Sequence, residues 1–306
     1  MTQHKLNSNV TVVEQTLEIQ GRSLWQHAFR RFIANRASMI SLVILLLMVV
    51  FLLIAPFLSP YTYDMPDWGF PLMPPNLERA HPFGTDYIGR DLLVRVVTGG
   101  RISLMVGIVS ALIAVGVGTT YGATAGYLGG NIDALMMRWL EILDAFPFTF
   151  FVIVLVTLFG HNLFLIFVAI GMVSWLDIAR IVRVQTLSLK QKEFIEAAKV
   201  CGASTRHILF RHIVPNVLGI VVVYASLLVP SMILFEAFLG FLGLGVQEPM
   251  ASWGGLLQEG RKHIEHEQWM LVFPCLFLLI TLFCCNFIGD GLRDALDPKD
   301  SNGRNE

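Results

Sequence analysis

Charge is what this sequence has least of: Asp, Glu, Lys and Arg make up 15% of its 306 residues, whereas 55% are hydrophobic. With a mean hydropathy of +0.63, that composition excludes an ordinary soluble domain and places the chain among integral membrane proteins. Cysteine is nearly as scarce. The four thiols, at positions 201, 275, 284 and 285, show no metal-ligand spacing and supply no disulfide framework, so they read as free thiols filling small spaces. No GxxxxGK[ST] run occurs, which excludes a P-loop cradle for nucleotide phosphates, and no nucleophile stands with a matching base. KHIEHEQW, residues 262–269, gathers His263, Glu265, His266 and Glu267. It is not HExxH, and four hydrophilic residues in a loop read as a solvated face rather than a metal site. No metal and no cofactor is therefore expected on this chain, and nucleic acid is not an expected partner.

What is abundant is long apolar sequence. About 20 apolar residues are needed to carry a helix across roughly 30 Å of hydrocarbon with every backbone amide satisfied, and six stretches qualify: 40–58, 102–125, 137–159, 163–181, 216–238 and 269–288. The uncharged run from Ala145 to Leu176 is too long for one span. It is split here at Gly160-His161-Asn162, and the third span borrows Met137 to Asp144. The expected class is an all-α membrane protein with a tail (1–39), a six-helix domain (40–289) containing a loop at 182–215, and a second tail (290–306). The first apolar run is longer than a signal-peptide core and lacks a small-x-small cleavage pattern, so it reads as a retained anchor. With the amino terminus inside, the cytoplasmic segments hold 16 of the 22 Lys and Arg, seven of them from Arg180 to Arg211; the positive-inside rule then puts both termini in the cytoplasm. Trp25, Phe29, Phe32 and Ile33 fall on one helical face before the first span, describing a helix in the lipid interface. A simple extension of that span is the alternative.

Small residues form a stripe on the second span. Gly118, Gly122 and Gly126 repeat every four residues, continued by Ala114 and Ser110, which predicts a seam where two helix backbones approach closely. Pro147, Pro230 and Pro274 each remove an amide donor inside a span and predict bends. Charges within spans are few and lie near their ends: Glu141 and Asp144, Asp177 and Arg180 three apart on one helix, and Glu236. Nothing resembles an ion relay at the membrane midplane, which argues against an ion-coupled carrier. Before the second span, Asp86, Arg90, Asp91 and Arg95 alternate in sign at helical spacing, predicting a solvated, ion-paired helix on the outer face. It reads either as a structural cap or as a contact for another protein. Asp290, Arg293, Asp294 and Asp297, just inside the membrane, read either as fixing the end of the last span or as bearing on another protein.

The basic loop is the most informative stretch. Ser188 is expected to cap a short helix running to Cys201, Gly202 to end it in left-handed backbone, and Ser204 to cap a second helix running to His212 before Pro215 opens the fifth span. Phe194, Ile195, Ala198 and Cys201 make an apolar stripe on the first. Physical reasoning leaves two readings: a rigid knob for docking a soluble partner, or an amphipathic loop resting on the bilayer.

Glu196-Ala197-Ala198, with Gly202 and then Val214-Pro215 beyond, resembles the EAA loop of permease subunits of bacterial ABC importers. His212 departs from the apolar residue of the general pattern, and HIVPN is the form found in the peptide-importing branch. Residues 81–104, 241–254 and 289–299 are similar to segments of dipeptide, oligopeptide and nickel permeases of the C type; GRSLWQHAFRRFIANR and SWLDIARIVR look like the oligopeptide C-type permeases of Gram-negative bacteria. The resemblance implies the type I importer permease fold in a bacterial inner membrane, and a subunit that is not itself an enzyme. It implies a coupling loop in which Glu196, Ala197, Ala198, Gly202, His212 and Pro215 meet a cytoplasmic ATPase. The implied partners are a homologous B-type permease, two ATPase subunits that hold ATP and Mg, a peptide-binding protein, for which Asp86, Arg90 and Asp91 are the candidate contact if they are not a structural cap, the peptide itself and membrane lipid. Dipeptides or nickel are the alternative cargo. From other classes, an autonomous carrier or channel would transport without ATP, and a scaffold would leave uptake intact when deleted.

Overall fold

A computed structural model describes residues 24–160 and 163–296. The turn expected at His161-Asn162, residues 1–23 of the first tail, and residues 297–306 of the second, Asp297 included, lie outside the described residues. Helix is the only regular structure among the described residues; residues 59–91 and 242–252 run in turns and loops, with isolated bridges at Asn76–His81 and Thr85–Asp91.

Helix α1 (Leu24–Ala34) ends at Asn35, whose side chain accepts from the Ser38 amide at 3.4 Å and caps α2 (Arg36–Leu58). Phe29 and Ile33 of the expected interfacial stripe are exposed. Ser38 Oγ donates to the Phe287 carbonyl at 2.9 Å, fixing the start of α2 against the last helix. Helix α3 (Leu92–Leu128) leads through Gly129 to α4 (Gly130–Asp144), then α5 (Phe148–Phe159), α6 (Leu163–Leu189), α7 (Glu193–Val200) and α8 (Thr205–Ile208). A π-helical turn (Leu209–Ile213) joins α8 to α9 (Val214–Phe241), and α10 (Trp253–Lys262) and α11 (Trp269–Leu296) complete the described chain.

By length and composition, α2, α3, α11 and the continuous run Thr205–Phe241 can each cross a membrane. Two bent pairs, α4 with Thr149–Phe159 of α5 (74°) and the two parts of α6 (43°), bring the spans to as many as six.

The bend expected at Pro147 is a full break between Asp144 and Phe148, because Pro147 lacks an amide donor and drives the preceding residue away from helical backbone. Three other expectations differ from the structure. Pro230 and Pro274 sit inside continuous helices. The charged outer helix does not form, since Asp86 to Arg90 lie in turns and α3 starts at Leu92 as one 37-residue helix, Asp91 capping it by accepting from the Val94 amide at 2.9 Å. Finally, Ser188 caps nothing; it lies within α6, and α7 starts after Lys192 with no side-chain cap.

Helix α3 is the spine, and its pairing with α6 is the most extensive in the bundle. A Cβ at Gly118 would lie 2.7 Å from Ile178 Cβ and the Trp175 carbonyl, one at Gly122 would run into the Ala179 carbonyl, and one at Gly126 would lie 2.8 Å from the Arg183 carbonyl and Thr186 Cβ. Ser110 Oγ donates to the Phe167 carbonyl at 3.1 Å along the same seam. Only residues without side chains allow these two backbones to lie so close.

Candidate functional site

At one end of the bundle α7 and α8 form an elbow. Cys201 ends α7, Gly202 turns the chain with φ +79°, and Ser204 accepts from the His207 amide at 3.3 Å to start α8. The elbow is seated rather than suspended. Ile195 (0% exposed) and Ile208 (1%) enter a core with Ala123 and Tyr127 of α3, Ile178 and Val182 of α6, and Val217 and Val221 of α9. The ammonium groups of Lys190 and Lys199 sit 5.7 and 5.6 Å from the Tyr127 ring centroid, within cation–π range. Nearby, Arg183 binds both Asp133 oxygens at 2.5 and 2.6 Å, and Arg180 binds Asp177 at 3.2 Å and Asp144 at 2.5 Å.

The expected apolar stripe on α7 is divided between two faces. Ile195 is buried and Ala198 half-buried, whereas Phe194 (42%) and Cys201 are exposed together with Ala197, Gly202 and Val200 (89%). Glu196 belongs to that outward face and Phe210 continues it. His212 is half-buried beside Phe194, ring centroids 6.4 Å apart, and Pro215 stands in the first turn of α9. The elbow thus combines a rooted inner side with an outer side of apolar and charged residues, a surface suited to another protein.

The opposite end carries a second cluster. Asp86, Arg90 and Asp91, expected on a solvated surface, are buried to within 2%, so they offer no contact to a partner. Asp86 accepts from Arg90 Nε and from Arg95 Nη1, both at 2.6 Å. Arg95 also grips Glu259 (2.6 and 2.9 Å), and Arg90 reaches Glu248 at 2.9 Å. Asp91 pairs with His81 Nδ1 at 2.8 Å. Arg90 holds the Glu248 carboxyl below the usual carboxylate range, while burial pushes Asp91 up despite His81 and the Val94 amide. Glu248 is the group in this network most open to solvent, its side chain 48% exposed. With Tyr87, Gln258, Lys262 and His263 it lines a cavity of about 360 Å³.

Glu248 and Glu259, which sequence reasoning did not single out, tie the loop after α9 and helix α10 to the start of α3. Glu236 does similar work one level deeper: fully buried, it accepts from Ser103 Oγ at 2.8 Å, and that oxygen accepts from the Trp253 amide at 3.1 Å. A carboxylate inside a predicted span was the available signal, but its partners on α3 and α10 were not. His263 Nδ1 lies 3.8 Å from Glu267 and its ring stacks near Tyr87.

Comparison with known proteins converges on one family. The model described as "Binding-protein-dependent transport system inner membrane component" matches residues 118–301, and "N-terminal TM domain of oligopeptide transport permease C" matches residues 23–75. The chain is 64% identical to the Oligopeptide transport system permease protein OppC of Escherichia coli K12, over 98% of this chain and 99% of that protein. It is 59% identical to the protein of the same name from Haemophilus influenzae, over 98% of each, and 44% identical to the Dipeptide transport system permease protein DppC of Bacillus subtilis, over 90% of this chain and 86% of that one. A multi-pass bundle joined through a rooted elbow, matched over nearly its whole length by such permeases, is a member of the binding-protein-dependent transport system inner membrane component family.

Proposed function

We propose that this chain is the C-type permease subunit of a bacterial ABC importer for oligopeptides, with the elbow as its coupling element. The observation that carries the reading is the two-sided elbow. Ile195 and Ile208 fasten it to the ends of α3, α6 and α9, while Glu196, Ala197, Val200, Gly202 and Phe210 stay open to a partner. A loop merely lying on the bilayer would turn its apolar residues to lipid and would not need that seating. The relatives named for oligopeptide transport support the cargo.

In this reading a homologous B-type permease completes the passage, two cytoplasmic ATPase subunits hold ATP and Mg, and a peptide-binding protein delivers peptide from outside. Both termini and the elbow face the cytoplasm of a cell bounded by an inner membrane. Because Asp86, Arg90 and Asp91 are buried, contact with the binding protein falls instead to the exposed rim at Tyr87, Glu248 and Lys262. Closure of the ATPase pair around ATP moves the elbow, and the elbow shifts the helix bundle between inward- and outward-open states. The shift is driven only by the difference in contact that the two states make.

The test is uptake of a labelled tripeptide into proteoliposomes holding all four subunits, with the binding protein supplied. Uptake is expected to require ATP and this chain, and to be abolished in Gly202→Pro or strongly reduced in Glu196→Lys while ATP hydrolysis continues. Uptake by this chain alone without ATP would identify a carrier and overturn the reading. Transport of dipeptides or nickel in place of the tripeptide would overturn the cargo alone.

A further inference from the structure

The chain between the elbow and α9 contains one residue too many for a continuous α-helix. Leu209–Ile213 is wound as a π turn, closed by the Val214 amide donating to the Leu209 carbonyl, five residues back. The reason lies in the buried residues on either side. Leu209, Ile213, Val217 and Val221 are buried at a spacing of four from the turn into α9, and Ile208, on the elbow, enters the same core beside Leu209, five residues before Ile213. In an unbroken α-helix, at 3.6 residues per turn, positions five apart point roughly 140° away from each other. The wider turn lets both face the core at once.

Two further features favour that winding. Pro215 has no amide hydrogen, so the Arg211 carbonyl has no α-helical partner, and Asn216 Nδ2 donates to the next carbonyl, that of His212, at 2.6 Å. On the elbow side the Gly202 bend has open space, with nothing within 4 Å of a Cβ placed there, so it can accept a displaced residue.

We propose that this π turn is a joint. When the elbow moves, the surplus residue passes between the turn and the Gly202–Ser204 bend, so that α7 and α8 rotate against α9 instead of pushing it as a rigid rod. Single-turn π bulges in helices occur frequently at functional sites. The inference rests on the importer reading, and the burial of Ile208 beside Leu209 in one core with Ile213, which an unbroken α-helix would not allow, is what carries it.

The experiment uses the whole reconstituted importer and compares deletion of Arg211 with Arg211→Ala. Arg211 is exposed within the turn, and both changes remove its side chain, but only the deletion removes the surplus residue. The deletion is expected to lower ATP-driven tripeptide uptake at least tenfold below Arg211→Ala while ATPase subunits still copurify. Equal uptake in the two variants overturns the joint. Should the deleted chain fail to assemble, hydrogen exchange on the wild-type importer decides. Amides from 209 to 214 are expected to change protection between nucleotide-free and vanadate-trapped states, and unchanged protection there overturns the proposal. Wild-type uptake that does not need ATP would instead remove the importer reading beneath it.

Discussion

Arg95 at the start of α3 and Glu259 on α10 meet through two hydrogen bonds, Nη1 to Oε2 at 2.6 Å and Nη2 to Oε1 at 2.9 Å, and the same Nη1 binds Asp86 at 2.6 Å. The arginine side chain is 1% exposed. One cation therefore joins three parts of the fold, with Asp86 buried beside it and Glu259 half-buried.

Removing that cation should be far worse than neutralising one partner. Arg95→Met takes the bidentate partner from Glu259 and leaves Asp86 held by Arg90 alone, and is expected to cost about 3–5 kcal/mol, the usual penalty for breaking a buried ion pair from one side. Glu259→Gln keeps an acceptor for the guanidinium, so its cost should be about 1–3 kcal/mol. Thermal unfolding of the detergent-purified protein reads both; equal losses would show that the site does not act as a buried charge centre.

Glu248 gives the cluster a pH dependence. Its pKa is lowered by Arg90 first and then by Tyr87, against the opposing effect of burial. A carboxyl depressed in the folded state stabilises it above the unfolded value, about 4.3 for Glu, and loses that contribution as the pH falls through the folded value. The gap in melting temperature between wild type and Glu248→Gln should hold from neutral pH down to about 5 and close in stronger acid. Because half the side chain meets solvent, the gap should be small and shrink in salt. A gap that widens on acidification would contradict the assignment.

The α3–α6 seam should discriminate between glycines on the same helix. Gly122→Ala puts a methyl group into the Ala179 carbonyl, an atom of backbone that cannot step aside, whereas Gly116 has nothing within 4 Å. Overpacking of this kind costs about 1–3 kcal/mol, and Gly116→Ala should be neutral or favourable, since Ala is the better helix former by about 1 kcal/mol. Melting temperatures of the two variants check the contrast, and similar values would mean that the seam opens freely.

Much of this was legible in the sequence because its signals are local. Apolar run length announced α2, α3, α9 and α11, four-residue spacing announced the glycine seam, and Ser204 and Gly202 stand where a helix start and a left-handed turn were expected. The far-end cluster was misread because alternating charge at helical spacing looks the same on a solvated helix and in a buried network. What separates the two is partners, and Glu248 and Glu259 lie 158 and 164 residues away from the arginines they bind. Ser188 failed as a cap for the opposite reason: a good local capping residue was overridden by packing that carries α6 on to Leu189. The π turn had a faint trace in the five-residue step from Ile208 to Ile213, visible only once the core residues of both segments are known.

The elbow itself offers a crossed test of anchoring against docking. Ile195 is wholly buried and Val200 is 89% exposed five residues later on the same short helix. Ile195→Ala removes packing beneath the elbow and should cost about 2–5 kcal/mol, lowering the melting temperature of the permease even without its ATPase. Val200→Glu changes a side chain that is 89% exposed and should change stability by no more than about 0.5 kcal/mol, yet it places a charge on the open face and should greatly reduce ATPase copurification. A lost partner with an unchanged melting temperature in Val200→Glu, beside a lowered melting temperature in Ile195→Ala, is the pattern that a rooted elbow with a free docking face requires. If Val200→Glu retains its full complement of ATPase, the docking face lies elsewhere on the chain.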